Sequence, residues 1–331
     1  MNQTNPIVCT VDLTRPGRNL GYLQVPHSVH RSAYGVIPVP VGSIVGAAGG
    51  PIVFLMAGNH GDEYEGQVIL SELLRTLDPG QVNGRITIMP MANFPAAEAG
   101  LRTSPIDQVN MNRIFPGAPR GTPTLMIANY IEEVLMEGVD LYLDLHSGGS
   151  SFLCVPHGMT LRYDGDPHAD MRRKVVDEIG VSCLLYGPPN PDEWYSTSAA
   201  HRKGAAGFTL ELGGAGTVDP AIRRGAQAGL LRALAAVGAY TGPTTDDRLF
   251  EKTLEAEKEA MVFADEPGLY EPMVQAGTAV KAGQVAARVH FPETPGKPPL
   301  EVRFDEGGFV LARRQPARVI RGDSLFHMAV I

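Results

Sequence analysis

The sequence predicts an α/β fold, a mainly parallel, mixed sheet flanked by helices, followed by a small all-β unit. Three observations predict it. Apolar runs of strand length alternate with amphipathic helical patterns between residues 51 and 240, the arrangement of βαβ units. His60, Asn93, His146 and Glu211 stand at or just after the ends of apolar runs, where open α/β sheets place ligands. Beyond residue 248 short apolar stretches are punctuated by glycine at regular spacing, the pattern of a small β unit.

The elements follow in order. "YGVIPVPVGSIVGAA" (34–48) reads as short strands broken by proline and glycine, so residues 1–48 form a strand-rich lead-in. "PIVFLMA" (51–57) is a buried strand. "EYEGQVILSELLRTL" (63–77) is an amphipathic helix with Val68, Leu70, Leu73, Leu74 and Leu77 on its apolar side. "GRITIMPMAN" (84–93) is a second buried strand, and a helix over 122–137 leads into the strand "VDLYLDLHSGG" (139–149). "AAGFTLELGG" (205–214) repeats the strand-then-glycine form. Residues 219–240 form a helix whose Pro220 stands near the start, where a missing N–H does no harm. "TGPTTDDR" (241–248) reads as a linker, which divides the chain into an α/β unit of residues 1–245 and a β unit of residues 246–331.

Bulk properties narrow the function classes. The chain has 331 residues, 44% of them hydrophobic and 19% charged, an ordinary globular composition. A net charge of -8 argues against a general nucleic-acid or anionic-membrane partner. Cys9, Cys154 and Cys183 form no CxxC pair and are expected to be reduced. The opening "MNQTNPIVCTVDLTRPG" has neither a basic n-region nor a continuous apolar core. No run approaches the ~18 apolar residues of a membrane span, so the expectation is a soluble, cytoplasmic protein. The sequence shows no internal repeat.

The chemistry concentrates in "FLMAGNHGDEYEGQVIL" (54–70), where an apolar run ends in His60, Asp62, Glu63 and Glu65. Acids crowded beside a histidine repel one another unless a positive charge sits among them. A metal ion is one solution and a solvated helix start the other. Histidine and glutamate at i and i+3 can reach one ion from a single turn, and His146, ending "LYLDLH", is the obvious third ligand. Catalytic zinc sites use such a set of two histidines and a carboxylate and keep the fourth position for water. Asp62 and Glu65 read as helix-start charges that suit the dipole. Glu211 lies in an apolar strand, where an unpaired carboxylate is costly without a task. His157, His168, His201 and His290 read as surface or internally satisfied histidines. Arg113 as a structural ion-pair partner and Arg102 as a solvated loop cation stay open. HExxH, the GxSxG elbow, the P-loop and a strand-following GxGxxG are absent, which removes the commonest rival chemistries.

Four pieces in order become specific: "NHGDE" (59–63), "NMNR" (110–113), "DLHS" (144–147) and "FTLEL" (208–212). This order resembles the zinc carboxypeptidase superfamily, and within it the succinylglutamate desuccinylase/aspartoacylase family, over roughly residues 50 to 215. The resemblance implies a zinc carboxypeptidase-like fold and one Zn2+ per chain on His60, Glu63 and His146. It implies Glu211 as general base, Arg102 polarising the scissile carbonyl, and Asn112 with Arg113 holding a substrate carboxylate. The implied partner is a small N-acyl amino acid, with no nucleic acid and no membrane; the oligomeric state stays open, a homodimer being one candidate. An extra β domain is also typical of that family. Here its valine-glycine rhythm resembles a biotinyl/lipoyl-type barrel-sandwich, but the place of the carrier lysine reads "FPETPGKPP" (291–299), so no carrier role is expected.

One position departs from the family pattern. Asn110 stands where the family has an aspartate that orients a zinc histidine; an amide can accept the imidazole N–H but adds no charge, and Asp144 is a possible substitute. The stretch "NFPAAEAGLRTSPIDQVNMNRIFPG" (93–117) is similar to the subgroup that converts N2-acetyl-L-2,4-diaminobutanoate to acetate and L-2,4-diaminobutanoate in ectoine degradation. Rival readings are aspartoacylase or succinylglutamate desuccinylase activity, a peptide-cleaving zinc carboxypeptidase, and a non-enzymatic metal-binding protein. A distal ammonium calls for an acidic or carbonyl-lined pocket, whose residues the sequence does not disclose.

Overall fold

A computed structural model describes residues 4–29, 32–190 and 192–331. Its frame is a ten-stranded mixed sheet. The strands are β1 (Val8–Cys9), β2 (Gly17–Pro26), β3 (Val36–Val45), β4 (Ala48–Ala57), β5 (Asn83–Met89) and β6 (Leu141–His146). A short β7 (Phe152–Cys154) lies outside this sheet, and β8 (His157–Leu161), β9 (Cys183–Gly187), β10 (Ala206–Glu211) and β11 (Leu254–Ala256) complete it. The spatial order is β1-β2-β3-β5-β4-β6-β10-β8-β9-β11. Pairing is parallel from β5 through β4 and β6 to β10 and from β8 to β11, and antiparallel in the lead-in and at β10–β8.

The predicted α/β class holds, with local differences. The lead-in strands are long, ten residues each in β2 and β3. Pro38 and Pro40 are tolerated because β5 joins β3 only from Gly42 onward, so both prolines lie where one side of β3 is open. The helix expected over 63–77 is α1 (Tyr64–Thr76), but its stripe is rotated: Val68 is exposed, whereas Glu65 and Gly66 are buried. After α2 (Phe94–Ala99), the helix expected over 122–137 divides into α3 (Pro123–Tyr130) and a π-helical turn over Ile131–Leu135. α4 (Ala169–Ile179) and α5 (Ser196–Arg202), with β8 and β9, fill a region the sequence left unassigned. α6 (Pro220–Ala236) starts at Asp219, whose carboxylate accepts from the N–H groups of Ala221 and Ile222.

Strand alternation feeds two cores. Val53, Leu55 and Ala57 of β4 face a cluster with Ile69 and Leu73 of α1, Val175 of α4 and Leu230 of α6. Phe54 and Met56 face the opposite cluster with Ile127 of α3 and Ala199 of α5. Burial on both faces is what a central parallel strand requires.

The remaining strands are β12 (Lys258–Phe263), β13 (Gly268–Pro272), β14 (Ala279–Val280), β15 (Val285–His290), β16 (Leu300–Arg303), β17 (Gly308–Arg314), β18 (Arg318–Val319) and β19 (Ser324–Val330). They form two antiparallel sheets, β12-β19-β17-β14 and β16-β15-β13-β18, around a core that includes Tyr270, Val289, Phe304 and Phe326. β7 adds to the first of these by pairing with β17, so the loop after β6 is hydrogen-bonded to the C-terminal sheet. Lys297 of "FPETPGKPP" lies over Phe291 and bonds Glu266 at 2.5 Å.

Candidate active site

Five segments bring the site together. The turn from β4 to α1 carries His60 and Glu63. It can close because residue 61 is glycine: a Cβ there would lie 2.0 Å from the carbonyl carbon of Ala96 in α2. β6 ends in His146, and β10, its parallel neighbour, ends in Glu211, directly opposite His146 in register. A 3₁₀ turn over Met111–Arg113 supplies Asn112 and Arg113, and the preceding loop supplies Arg102. All seven predicted residues line one cavity of about 840 Å³.

His60, Glu63 and His146 are buried, with ligand atoms within 4.8 Å of one another. Glu63 Oε1 is 2.7 Å from His60 Nδ1 and Oε2 is 2.8 Å from His146 Nδ1. Behind the rings, His60 Nε2 is 3.0 Å from Asn110 Oδ1, and His146 Nε2 is 2.9 Å from Asp144 Oδ2. Asn110 Oδ1 also accepts from Asn112 N–H at 3.1 Å, which fixes that amide oxygen as an acceptor. Both Nε2 atoms are therefore donors, and in neutral rings both Nδ1 lone pairs face a carboxylate. Contacts this short between a ring nitrogen and a carboxylate need a positive charge between them, either a proton on the ring or a metal ion in its place. The donor set fits a divalent metal of the zinc type.

Asn110 and Asp144 are thus not alternatives: each orients a different histidine. Asp144 is itself held by Asn59 Nδ2 at 3.0 Å and Ser196 Oγ at 2.5 Å. Its position was legible, since residues i and i+2 of a strand share a face; nothing in the sequence pointed to Asn59 or Ser196. Burial opposes ionisation of Asp144 and Glu63, but the neighbouring histidines outweigh it and hold both carboxyls below their usual range. Burial acts against protonation of His146, and Asp144 and Glu63 overcome it and raise its pKa well above normal.

Asp62 and Glu65 are not solvated helix-start charges. Both are buried. Asp62 Oδ2 accepts from the backbone N–H and hydroxyl of Ser150 at 2.9 and 2.7 Å, and Glu65 Oε1 accepts from Gly214 N–H at 3.0 Å. These two acids pin the loops that follow β6 and β10. Glu211 is partly buried; burial first, then the charge of Glu63, push its pKa up to about 8. Arg102 is 46% exposed with Nη1 3.5 Å from Glu63 Oε1, close enough to reach the site and loose enough to move. Asn112 Oδ1 accepts from Ser196 N–H at 2.9 Å, and the Arg113 guanidinium lies 4.8 Å from the ring centre of Tyr195. Arg113 pairs with no carboxylate among the described residues; its Nη1 donates to the Asn112 carbonyl oxygen at 2.9 Å, and the residue lines the cavity. Asn93 is buried at the start of α2, outside the cavity lining. His157 is neither a surface histidine nor fully satisfied: it is buried, and its Nε2 has no partner among the described residues.

Residues 49–237 match the profile described as the succinylglutamate desuccinylase/aspartoacylase catalytic domain. The chain belongs to the succinylglutamate desuccinylase/aspartoacylase family. It is an amide hydrolase by that membership. It is 35% identical to the N-alpha-acetyl-L-2,4-diaminobutyric acid deacetylase of Halomonas elongata, over 99% of this chain and 96% of that protein. Among solved structures it is similar to the product-bound ectoine utilization protein EutE of Ruegeria pomeroyi, with TM-score 0.92, 33% identity, and coverage of 99% of this chain and 100% of that one. A succinylglutamate desuccinylase/aspartoacylase from Rhodobacter sphaeroides gives TM-score 0.90 and 31% identity, with 98% of each chain covered. Both likenesses extend through the C-terminal sheets, so the added β strands are shared with these relatives. Among the described residues no helix is long and apolar enough to cross a membrane.

Proposed function

We propose that the protein hydrolyses N2-acetyl-L-2,4-diaminobutanoate to acetate and L-2,4-diaminobutanoate, with one zinc ion per chain held by His60, Glu63 and His146. The observation that carries the chemistry is the convergence of both histidine Nδ1 atoms on the Glu63 carboxylate, with Glu211 beside His146 on the next strand. The similarity to the Halomonas elongata deacetylase and to EutE supports the substrate. Zinc, when bound, supplies Lewis-acid activation of water and of the acyl carbonyl.

The chain's own residues do the rest. Asn112 and Arg113 hold the α-carboxylate, the guanidinium through paired hydrogen bonds. Arg102 donates to the oxygen that gains negative charge as the carbonyl is attacked, a contribution on the order of 2.7–4 kcal/mol for one such donor. Glu211 accepts a proton from the attacking water and passes it to the amide nitrogen, which leaves as an amine because an amide anion is too basic to depart. Without a cation in the site, Glu211 is held up to about 8 by burial and by Glu63. Neutralising Glu63 by a bound cation removes that repulsion and favours the carboxylate that the reaction needs. Residues 246–331 act as a cover: Glu257, Glu259, Met261 and His327 line the cavity opposite the main sheet, which suits a small substrate better than a peptide.

The test is metal analysis combined with a substrate panel of N2-acetyl-L-2,4-diaminobutanoate, N-acetyl-L-aspartate, N2-succinylglutamate and short peptides. The expected result is about one zinc per chain, the acetyl-diaminobutanoate as best substrate, and label from ¹⁸O-water in the released acetate. Preference for N-acetyl-L-aspartate or a peptide would overturn the assignment.

A further inference from the structure

Beyond Glu211 the cavity continues along β8 and β10 to a group of side chains that the reaction scheme leaves unused. His157 of β8 stands directly opposite Glu211, so His146, Glu211 and His157 form one row across three strands. His157 is 1% exposed, yet it lines the cavity. Its Nδ1 is 2.8 Å from the carbonyl oxygen of Val155. A carbonyl only accepts, so Nδ1 carries the hydrogen and Nε2 is left with a bare lone pair. That Nε2 is buried and has no hydrogen-bond partner among the described residues. A buried acceptor without a donor is costly, on the order of 1–3 kcal/mol, and such a group calls for a missing donor.

The surroundings say which donor. The His157 ring meets His327 of β19 edge-on at 5.8 Å, and His327 Nε2 is 2.7 Å from Glu259 Oε2 of β12. Glu259 and His327 line the same cavity. Burial, and then His327, hold His157 down to about 4, so at neutral pH it is an uncharged acceptor. The cavity is thus polarised: Arg102 lies 3.5 Å from Glu63, on the His146 side of Glu211, while the His157 lone pair and the Glu259 carboxylate lie on the other side. A molecule with an anion at one end and a cation at the other matches this polarity.

We propose that His157 Nε2 and the Glu259 carboxylate form the subsite for the distal ammonium of the substrate, with His327 positioning Glu259. The assignment rests on the deacetylase reading above. Paired residues on antiparallel strands have Cα atoms about 4.5–5.5 Å apart, a step from Glu211 to His157 that a two-methylene arm spans. The ammonium gives the orphaned nitrogen its donor and meets a negative charge. An arm ending in carboxylate instead faces a lone pair and a like charge, so the subsite rejects the acidic substrates handled elsewhere in the family.

The experiment compares zinc-loaded wild type, His157→Leu and Glu259→Gln on N2-acetyl-L-2,4-diaminobutanoate and on N-acetyl-L-2-aminobutanoate, which lacks only the distal amine. The readout is the ratio of the two kcat/KM values. Calorimetric binding of the products L-2,4-diaminobutanoate and L-2-aminobutanoate gives the same ratio without turnover. Each substitution is expected to lower the preference for the amine by about 10–100-fold, the range for a hydrogen bond to a charged group. Glu259 is exposed, so its variant keeps the test available if the buried His157→Leu chain folds poorly. A ratio unchanged in both variants, with the acetyl-diaminobutanoate still the best wild-type substrate, would overturn the subsite alone. A wild type that prefers N-acetyl-L-aspartate would overturn the deacetylase reading beneath it.

Discussion

Glu211 shows how one side chain is set by its neighbours. It ends an apolar strand, faces His146 across β6–β10, and has its proton held up to about 8 by burial and Glu63. Glu211→Gln keeps the shape and removes the base. Its kcat is expected to fall by about 10²–10⁴-fold, the usual share of general acid–base catalysis, while zinc content stays at the wild-type level. Near-normal turnover with zinc bound would move the role to another carboxylate. The same residue predicts a pH effect in the metal-free protein. Its folded pKa of about 8 lies above the ordinary 4.5, so ionisation costs the folded state more than the unfolded chain. Glu211 leaves stability untouched below about 4.5, erodes it as pH rises from 4.5 to 8, and exacts the full loss above 8. Thermal melts of metal-free wild type and Glu211→Gln should therefore diverge across that window, the variant becoming relatively more stable as pH increases. Parallel Tm curves would refute the assignment of the raised carboxyl to Glu211.

At the scale of elements, the site depends on how closely α1 lies on the sheet. Gly66 is buried in its first turn, and a Cβ there would meet the Leu145 carbonyl oxygen at 2.7 Å and Ala57 Cβ at 3.0 Å. Helix propensity alone favours alanine over glycine by roughly 1 kcal/mol. Packing decides otherwise here, because the colliding atoms belong to β4 and β6 and cannot swing aside. Overpacking of this kind costs about 1–3 kcal/mol. Since β6 ends in His146 and the start of α1 carries Glu63, pushing them apart also spoils the ligand set. Gly66→Ala is expected to lower both Tm and zinc affinity, measured by calorimetry and by competition with a chelator. A stabilised variant with unchanged affinity would show that the contact yields.

At the scale of the whole molecule, the C-terminal strands are tied to the catalytic half at two places. β7 leaves the site loop to pair with β17, and Cys183, Leu185, Ala256, Leu311 and Ala329 form a small core shared between the large sheet and the C-terminal strands. Leu311 is fully buried there. We expect a single calorimetric transition that coincides with the fluorescence change of Trp194, which stands next to Tyr195 on the cavity wall. Leu311→Ala, at a cost of about 2–5 kcal/mol, should lower that one transition. Its splitting into two would show that the C-terminal β strands fold independently of the large sheet.

What the sequence by itself determined is local. The i, i+3 spacing of His60 and Glu63 and the strand ends at His146 and Glu211 depend on periodicity and short turns, which neighbouring residues dictate; Asn112 and Arg113 came only from the resemblance of "NMNR" to the family motif. The alternation of strands and helices gave the α/β class for the same reason. What only the tertiary structure decided is which distant residues meet. Asp62 and Glu65 read as solvent charges because acids at a helix start suit the dipole; they are buried because loops 88 and 149 residues further on present donors to them. Val68 fits the apolar stripe of α1, but a close approach at Gly66 turned the helix and left it outside. β8, "HGMTL", has no alternation strong enough to declare a strand, so nothing local reveals that His157 stands beside Glu211. Strand order and register are set by long-range packing on both sheet faces, and that packing made a row of His146, Glu211 and His157 out of residues that the sequence keeps apart.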